Sequence, residues 1–256
     1  MAVGLVVLGL TAYGFLVLAA RSLGPERYAP LSVLWALVFL VGPGVFVPLE
    51  QELARAISAT DETGGAVEHL VRKASLAGAA IVGLLLLVTL AAGGWMVSRL
   101  FDHEPLLFVG LLLSLVGYYA EHLVRGILAG TGRFRVYGLI LGAEGAIRLA
   151  GCVVLAVVGV SGPGPYGLVL GAAPIFAAII GARGQGLFSP GPAAARATRP
   201  PASGAPGPSL TQALGWLLAG SLFAQLLVNG APVAVKLLAT AAEKATVGRF
   251  VAGLIV

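Results

Sequence analysis

The sequence predicts an all-helical integral membrane protein, because it is too apolar for a water-soluble domain and its apolar residues lie in runs of membrane-spanning length. The 256 residues are 58% hydrophobic and 11% charged, with a mean hydropathy of +0.97. Soluble domains have about 25% charged residues, and so few charged side chains cannot cover the exterior of a soluble domain. Most of the chain is therefore predicted to lie within a lipid bilayer.

Seven apolar runs are long enough to cross a bilayer, and each ends where Gly, Pro or charged residues begin. In chain order they are Ala2–Ala20, Ala29–Leu49, Ala74–Val97, Leu106–Ala129, Val136–Val160, Tyr166–Ala182 and Leu210–Leu238. The seventh is predicted to be interrupted at residues 229–232, which read Asn-Gly-Ala-Pro. An eighth run begins near Val247 and is too short to cross a bilayer before Val256, so we expect a protein that is incomplete at its C-terminus.

A stretch rich in Pro, Gly and Ala at residues 183–209 predicts a linker. It separates residues 1–182, which hold six spans, from residues 210–256, which hold the seventh span and the beginning of the eighth. Lys and Arg are concentrated in the connections after spans two, four and six, so the positive-inside rule predicts a cytoplasmic N-terminus and a cytoplasmic linker. Because the basic residues are scattered among short connections, no nucleic-acid partner is expected.

Motifs for catalysis, cofactors and metals are absent from the sequence. There is no phosphate-binding GxxxxGK[ST] and no HExxH, and the three histidines are not spaced as metal ligands. We therefore expect neither an enzyme nor a bound metal or cofactor.

Ionisable residues inside the predicted spans are the candidates for function, because each costs about 2.5–3.5 kcal/mol on insertion scales and needs a partner or an aqueous cavity. Glu144 and Arg148 lie four residues apart in span five, where they either neutralise each other or line a polar cavity that contacts an anionic substrate. Glu121 and Arg125 repeat this spacing in span four, nearer the interface, where extension of their side chains toward the headgroups is the simpler interpretation.

The end of span two and the interruption in span seven supply the remaining candidates. Glu50, Glu52 and Arg55 follow span two, and they either anchor the helix end in the headgroups or take part in gating. Pro43 lies in a Gly-Pro-Gly sequence that is either a hinge or an ordinary feature of a membrane helix. Lys236 follows the predicted interruption, where freed backbone groups could form part of a site.

The segment Ala20–Ala56, ARSLGPERYAPLSVLWALVFLVGPGVFVPLEQELARA, and the turn GTGRFRVY at residues 130–137 carry a family resemblance. In the first segment, the residues that carry this resemblance are Leu23, Gly24, Pro25, Glu26, Tyr28, Glu50, Glu52 and Arg55. They resemble the first two helices of polysaccharide-export flippases of the multidrug/oligosaccharidyl-lipid/polysaccharide (MOP) exporter superfamily, and the turn is similar to that family's GxxRFxxY-like turn. The similarity in helix order and loop size extends over Met1–Ala182.

The resemblance implies one six-helix lobe of the MOP type followed by the start of a second lobe. It also implies a flippase in the bacterial plasma membrane, whose partner is an oligosaccharide linked to undecaprenyl diphosphate and which works by alternating access around a cationic cavity. Two alternatives stay open. One is a cation-coupled multidrug exporter of the same fold, with Glu144 as the coupling residue, and the other is an inactive fragment or a membrane scaffold.

Overall fold

A computed structural model describes residues 2–60, 64–183 and 210–238, and every regular element in these ranges is a helix. The elements are α1 (Ala2–Val41), a π-helical turn (Gly42–Phe46), α2 (Val47–Ser58), α3 (Gly64–Ala91), α4 (Gly93–Arg99), α5 (Pro105–Gly130), α6 (Phe134–Val158), α7 (Pro163–Ala182) and α8 (Leu210–Leu238). The predicted linker beyond Arg183 and the predicted eighth span lie outside the described residues.

Six helical stretches among the described residues are long and apolar enough to cross a membrane. They are Ala2–Ser58, Val67–Ala91, Pro105–Gly130, Phe134–Val158, Pro163–Ala182 and Gly215–Leu238. Large apolar side chains such as Leu87 and Val157 are exposed on these helices, as lipid-facing residues are. The chain is therefore a multi-pass membrane protein.

The first stretch contains both of the first two predicted spans, and a kink at Gly24 takes the place of the predicted connection. Gly24 has φ 72° and ψ 168°, a backbone conformation that favours glycine, and Pro25 follows it. The predicted end of span two at Leu49 is also wrong, because the helical backbone continues through the π-helical turn and α2 to Ser58. The charged residues that follow span two thus lie on a helix and not beyond its end.

Span three and span seven also differ from their predictions. Span three is interrupted at Ala92, and its last part belongs to the separate short helix α4. The predicted interruption of span seven is wrong, because α8 is helical throughout residues 229–232. Proline is tolerated inside membrane helices, and Pro232 lies within α8.

The core lies between α1, α5 and α7, and aromatic side chains fill much of it. Phe15 and Tyr166 are fully buried, and the Trp35 ring stacks on Phe15 and Phe39 with centroids 5.6 and 4.3 Å apart. Helices α5 and α7 approach each other through glycines. A Cβ added to Gly110 would lie 2.5 Å from the carbonyl oxygen of Gly167, which is the close backbone approach that small residues allow between membrane helices.

This close approach predicts that Gly110→Ala destabilises the protein by about 1–3 kcal/mol, because the new methyl group meets backbone that cannot rotate away. The matched control is Gly83→Ala on α3, where an added Cβ has nothing within 4 Å, and where removal of a helical glycine should be neutral or stabilise by up to about 1 kcal/mol. Thermal unfolding in detergent measures both variants. Equal melting temperatures for the two would contradict the predicted contact.

Candidate functional site

Glu50 is the centre of a buried polar cluster that joins α2, α5 and α6. The Tyr137 hydroxyl donates to Glu50 Oε1 at 2.6 Å, and His122 Nδ1 lies 2.6 Å from Glu50 Oε2. Arg125 Nη2 lies 3.1 Å from the same Oε2. The residue is 6% exposed, so the interpretation of Glu50 as an anchor in the headgroups is wrong.

Local sequence explains how these groups meet. Glu121, His122 and Arg125 lie within five consecutive residues of α5, so their side chains point to neighbouring parts of the interior. Gly126 on the same helix lets α2 approach, since a Cβ there would lie 3.1 Å from the carbonyl oxygen of Glu50. The Glu50 side chain therefore meets the polar face of α5 at close range.

Glu121 is fully buried, and neither of its carboxyl oxygens has a hydrogen-bond donor. Its nearest cation is Arg125, whose Nη1 lies 3.5 Å from Glu121 Oε1. Arg125 itself faces inward, since its Nη2 donates to the Tyr137 hydroxyl at 2.8 Å and its guanidinium lies 5.0 Å from the Tyr137 ring centroid. The interpretation of this pair as side chains extended to the headgroups is therefore wrong.

Glu144 and Arg148 form an ion pair on α6, as their spacing allows. The Tyr118 hydroxyl donates to Glu144 Oε1 at 3.1 Å. Arg148 is completely buried, and its guanidinium carbon lies 5.4 Å from the Trp35 ring centroid and 5.7 Å from that of Phe39. Its Nε and Nη1 have no hydrogen-bond partner, so the pair leaves part of the guanidinium available.

The two groups form one continuous polar band across the interior of the helices. The rings of Tyr118 and His122 on α5 have centroids 5.8 Å apart and connect the Glu144 pair with the Glu50 cluster. Arg148 is also close enough to act electrostatically on Glu121. We refer to Glu50, Glu121, His122, Arg125, Tyr118, Tyr137, Glu144 and Arg148 together as the polar band.

The other predicted site residues lie apart from the polar band. Glu52 is buried and receives two hydrogen bonds from Arg55, at 2.8 Å from Nε and 2.5 Å from Nη2. Pro43 lies in the π-helical turn, where its carbonyl oxygen accepts a hydrogen bond from Ser221 of α8 at 3.1 Å. Lys236 pairs with Asp102 at 2.5 Å. Their roles in gating or binding stay predictions.

Sequence reasoning missed Tyr118 and the part played by His122. Tyr118, His122 and Arg125 follow one another at spacings of four and three residues, which places them on one face of α5. This spacing was the signal in the sequence that could have identified a polar face on α5. Tyr137 was noted as part of the turn motif, but its contact with Glu50 joins positions 87 residues apart, which no local pattern indicates.

Comparison with known proteins gives relatives over part of the chain. No family model matches it. The uncharacterized protein Rv3630 of Mycobacterium tuberculosis is 29% identical over 158 residues, which cover 60% of this chain and 36% of that protein. The uncharacterized protein Rv1510 of the same organism is 30% identical over 149 residues, covering 57% and 34%. The chain thus spans about a third of the length of these relatives.

A solved structure matches almost the whole chain. It is the inward-facing conformation of a multidrug resistance MATE family transporter of the MOP superfamily, with a TM-score of 0.64 and 13% identity. The match covers 96% of this chain and 56% of that one. The chain has the MOP-type fold. The fold class predicted from the sequence, an all-helical membrane protein with a MOP-type lobe, is confirmed.

The polar band predicts unequal roles for two neighbouring glutamates. Glu50→Ala removes the carboxylate that Tyr137, His122 and Arg125 share and should cost about 1–3 kcal/mol, the range for leaving a buried polar group without its hydrogen-bond partner. Glu52→Ala is the matched control, because the side chain of Arg55 is 54% exposed and can turn to solvent, so the loss should be about 0–1 kcal/mol. Thermal unfolding in detergent compares them, and a Glu50 variant as stable as the Glu52 variant would contradict the described cluster.

Proposed function

We propose that the chain forms part of a membrane flippase that moves a lipid-linked oligosaccharide from the cytoplasmic to the outer face of a bacterial plasma membrane. The fold likeness to a transporter and the flippase-like motifs of Ala20–Ala56 and residues 130–137 support this proposal. The observation that carries it is Arg148, a guanidinium buried in the interior of the lobe with two nitrogens that have no hydrogen-bond partner.

The chemistry of Arg148 suits a diphosphate. A guanidinium is planar and donates two parallel hydrogen bonds to phosphate oxygens, and it stays charged when buried. Attraction between opposite charges strengthens where water is excluded. The free nitrogens of Arg148 therefore provide the kind of donor that an undecaprenyl-diphosphate carrier would bind.

The surroundings of Arg148 hold its guanidinium in place. Trp35 and Phe39 present their rings to it, and Glu144 balances its charge. In the arrangement described, Glu144 occupies one side of the guanidinium and the diphosphate would take the other. Alternating access would then have to expose this side, since the residue is completely buried here.

In this proposal the N-terminus is cytoplasmic, as the distribution of Lys and Arg predicts. The partners of the chain are the lipid-linked glycan and the surrounding membrane lipids, and transport needs no catalytic step or bound cofactor.

Substitution of Arg148 tests the flippase proposal in proteoliposomes that contain a fluorescent undecaprenyl-diphosphate-linked oligosaccharide. Hydrogen bonds to charged groups contribute about 1.5–3 kcal/mol, and about 1.4 kcal/mol corresponds to a factor of ten. Arg148→Met combined with Glu144→Gln, which keeps the buried charge balanced, should therefore slow translocation about tenfold or more. Translocation is measured as the fraction of label that an external quencher reaches over time.

The matched control is Arg135→Met, which removes an exposed arginine from the start of the same helix. It should translocate the glycan at the original rate. The melting temperature of each variant shows that the protein is folded. Unchanged translocation by a folded double variant would remove Arg148 from the mechanism.

A cation-coupled multidrug exporter is the second candidate, because the matching solved structure is that of a multidrug resistance transporter. In this alternative Glu144 takes up and releases the coupling ion. Glu144 is already in contact with Arg148 and with the Tyr118 hydroxyl, so a coupling ion would have to compete with these two groups for the carboxylate.

Glu144→Gln distinguishes the two candidates in a dye-efflux assay on cells or vesicles. If the protein is a coupled exporter, efflux should depend on a proton or sodium gradient and should disappear in Glu144→Gln, because an amide cannot bind the ion as a carboxylate does. The flippase proposal expects no gradient-dependent dye efflux from either protein. The Glu68→Gln variant serves as control, since Glu68 is exposed on α3 and lies outside the polar band.

A further inference from the structure

The polar band holds more acidic than basic groups. Its carboxyl groups are Glu50, Glu121 and Glu144, and its guanidinium groups are Arg125 and Arg148. With all five ionised and His122 neutral, the band carries one net negative charge. An uncompensated charge in a low-dielectric interior is costly, and proteins avoid it by pairing or by neutralising the group.

The contacts of the three carboxyl groups show which of them would carry the one uncompensated negative charge. Glu144 has Arg148 and Tyr118 as partners, and Glu50 has donors from Arg125 and Tyr137 as well as the close His122 nitrogen. Glu121 has no hydrogen-bond donor at either oxygen, and its one short-range cation is 3.5 Å away and shared with Glu50. Glu121 is therefore the carboxyl group whose ionised form is least compensated.

We propose that Glu121 holds a proton in the described conformation and that the polar band is a binding site for a single exchangeable proton. A protonated Glu121 makes the whole band neutral, with Glu50 paired to Arg125 and Glu144 paired to Arg148. This inference does not depend on the transported substrate, because it follows from the charges and contacts of the band alone.

Two other occupants fit the contacts less well. A proton on His122 would also neutralise the band, but it would leave Glu121 ionised and without a donor in the interior. A sodium ion at the Glu121 oxygens would lie beside the Arg125 guanidinium, which repels it. A proton on Glu121 balances the charges of the band and leaves no ionised carboxylate in the interior without a hydrogen-bond donor.

Charged groups from the neighbouring helices do not change this balance. The groups that act on Glu121 electrostatically are Arg125 of α5, Glu50 of α2 and Arg148 of α6. Helix α7 carries no Asp, Glu, Lys, Arg or His. The remaining charged or histidine residues in the described parts of α1 and α3 are exposed, namely Arg21, Glu26, Arg27, Glu68, His69, Arg72 and Lys73.

Release of the proton would change how three helices are held together. An ionised Glu121 attracts Arg125, which lies four residues away on the same helix. Movement of the guanidinium toward Glu121 weakens its contacts with Glu50 of α2 and Tyr137 of α6. Proton occupancy of Glu121 therefore determines how firmly α2 and α6 are attached to α5.

Infrared spectroscopy of the full chain in detergent tests the proposal, because the carbonyl stretch of a protonated carboxylic acid is separate from that of a carboxylate. At neutral pH the wild-type protein should show this band, and raising the pH should remove it. Glu121→Gln should abolish the band and leave the melting temperature unchanged within the reproducibility of the measurement. Glu52→Gln, the matched control outside the polar band, should retain it, and Glu121→Asp should shift it.

Three results would overturn the inference. The first is a band that survives in Glu121→Gln. The second is the absence of the band from the wild type at neutral pH, whether or not an imidazolium signal that disappears in His122→Gln takes its place. The third is loss of the band on addition of sodium at constant pH, which would assign the site to a metal cation. The pH titration and the sodium titration use the wild-type protein, so they decide the question even if a variant does not fold.

Discussion

Compensation of charge inside an apolar helical bundle is the constraint on which the rest of this structure depends. Lipid offers no hydrogen bonds, so each ionised side chain in the interior needs a partner from the chain itself. The close approach of α2 to α5 at Gly126, the contact between Glu50 and Tyr137 of α6, and the placement of Arg148 against Trp35 all supply such partners. The packing of α2 and α6 against α5 therefore also brings the buried charges together.

The helices could be predicted from the sequence because their apolar runs have the length of a bilayer crossing. Their ends and bends could not all be predicted, because Gly and Pro have several outcomes in a membrane helix. Gly24 and Pro25 produce a kink, the Gly-Pro-Gly sequence around Pro43 produces a π-helical turn, and Pro232 leaves α8 continuous. Which outcome occurs depends on whether neighbouring groups satisfy the freed backbone, and that is a property of the fold.

The candidate site was predictable to the extent that its contacts are local. Glu144 and Arg148 lie four residues apart on one helix, and the structure pairs them. Glu50 depends instead on Tyr137 and His122, which are distant in the sequence and reach it only after α2, α5 and α6 have packed. Its position after an apolar run is equally typical of a headgroup anchor, so the sequence alone could not distinguish a surface carboxylate from a buried one.

The close glycine contact between α5 and α7 limits how these two helices can move. Gly110 and Gly117 of α5 face backbone or proline of α7, and Gly171 of α7 faces the carbonyl group of Gly110. Backbones in direct contact cannot accommodate sliding by changing side-chain rotamers, so the contact opposes movement of one helix along the other. A change of shape in the lobe would then involve other contacts, such as the hydrogen bond from Ser221 of α8 to the Pro43 carbonyl in the π-helical turn at Gly42–Phe46.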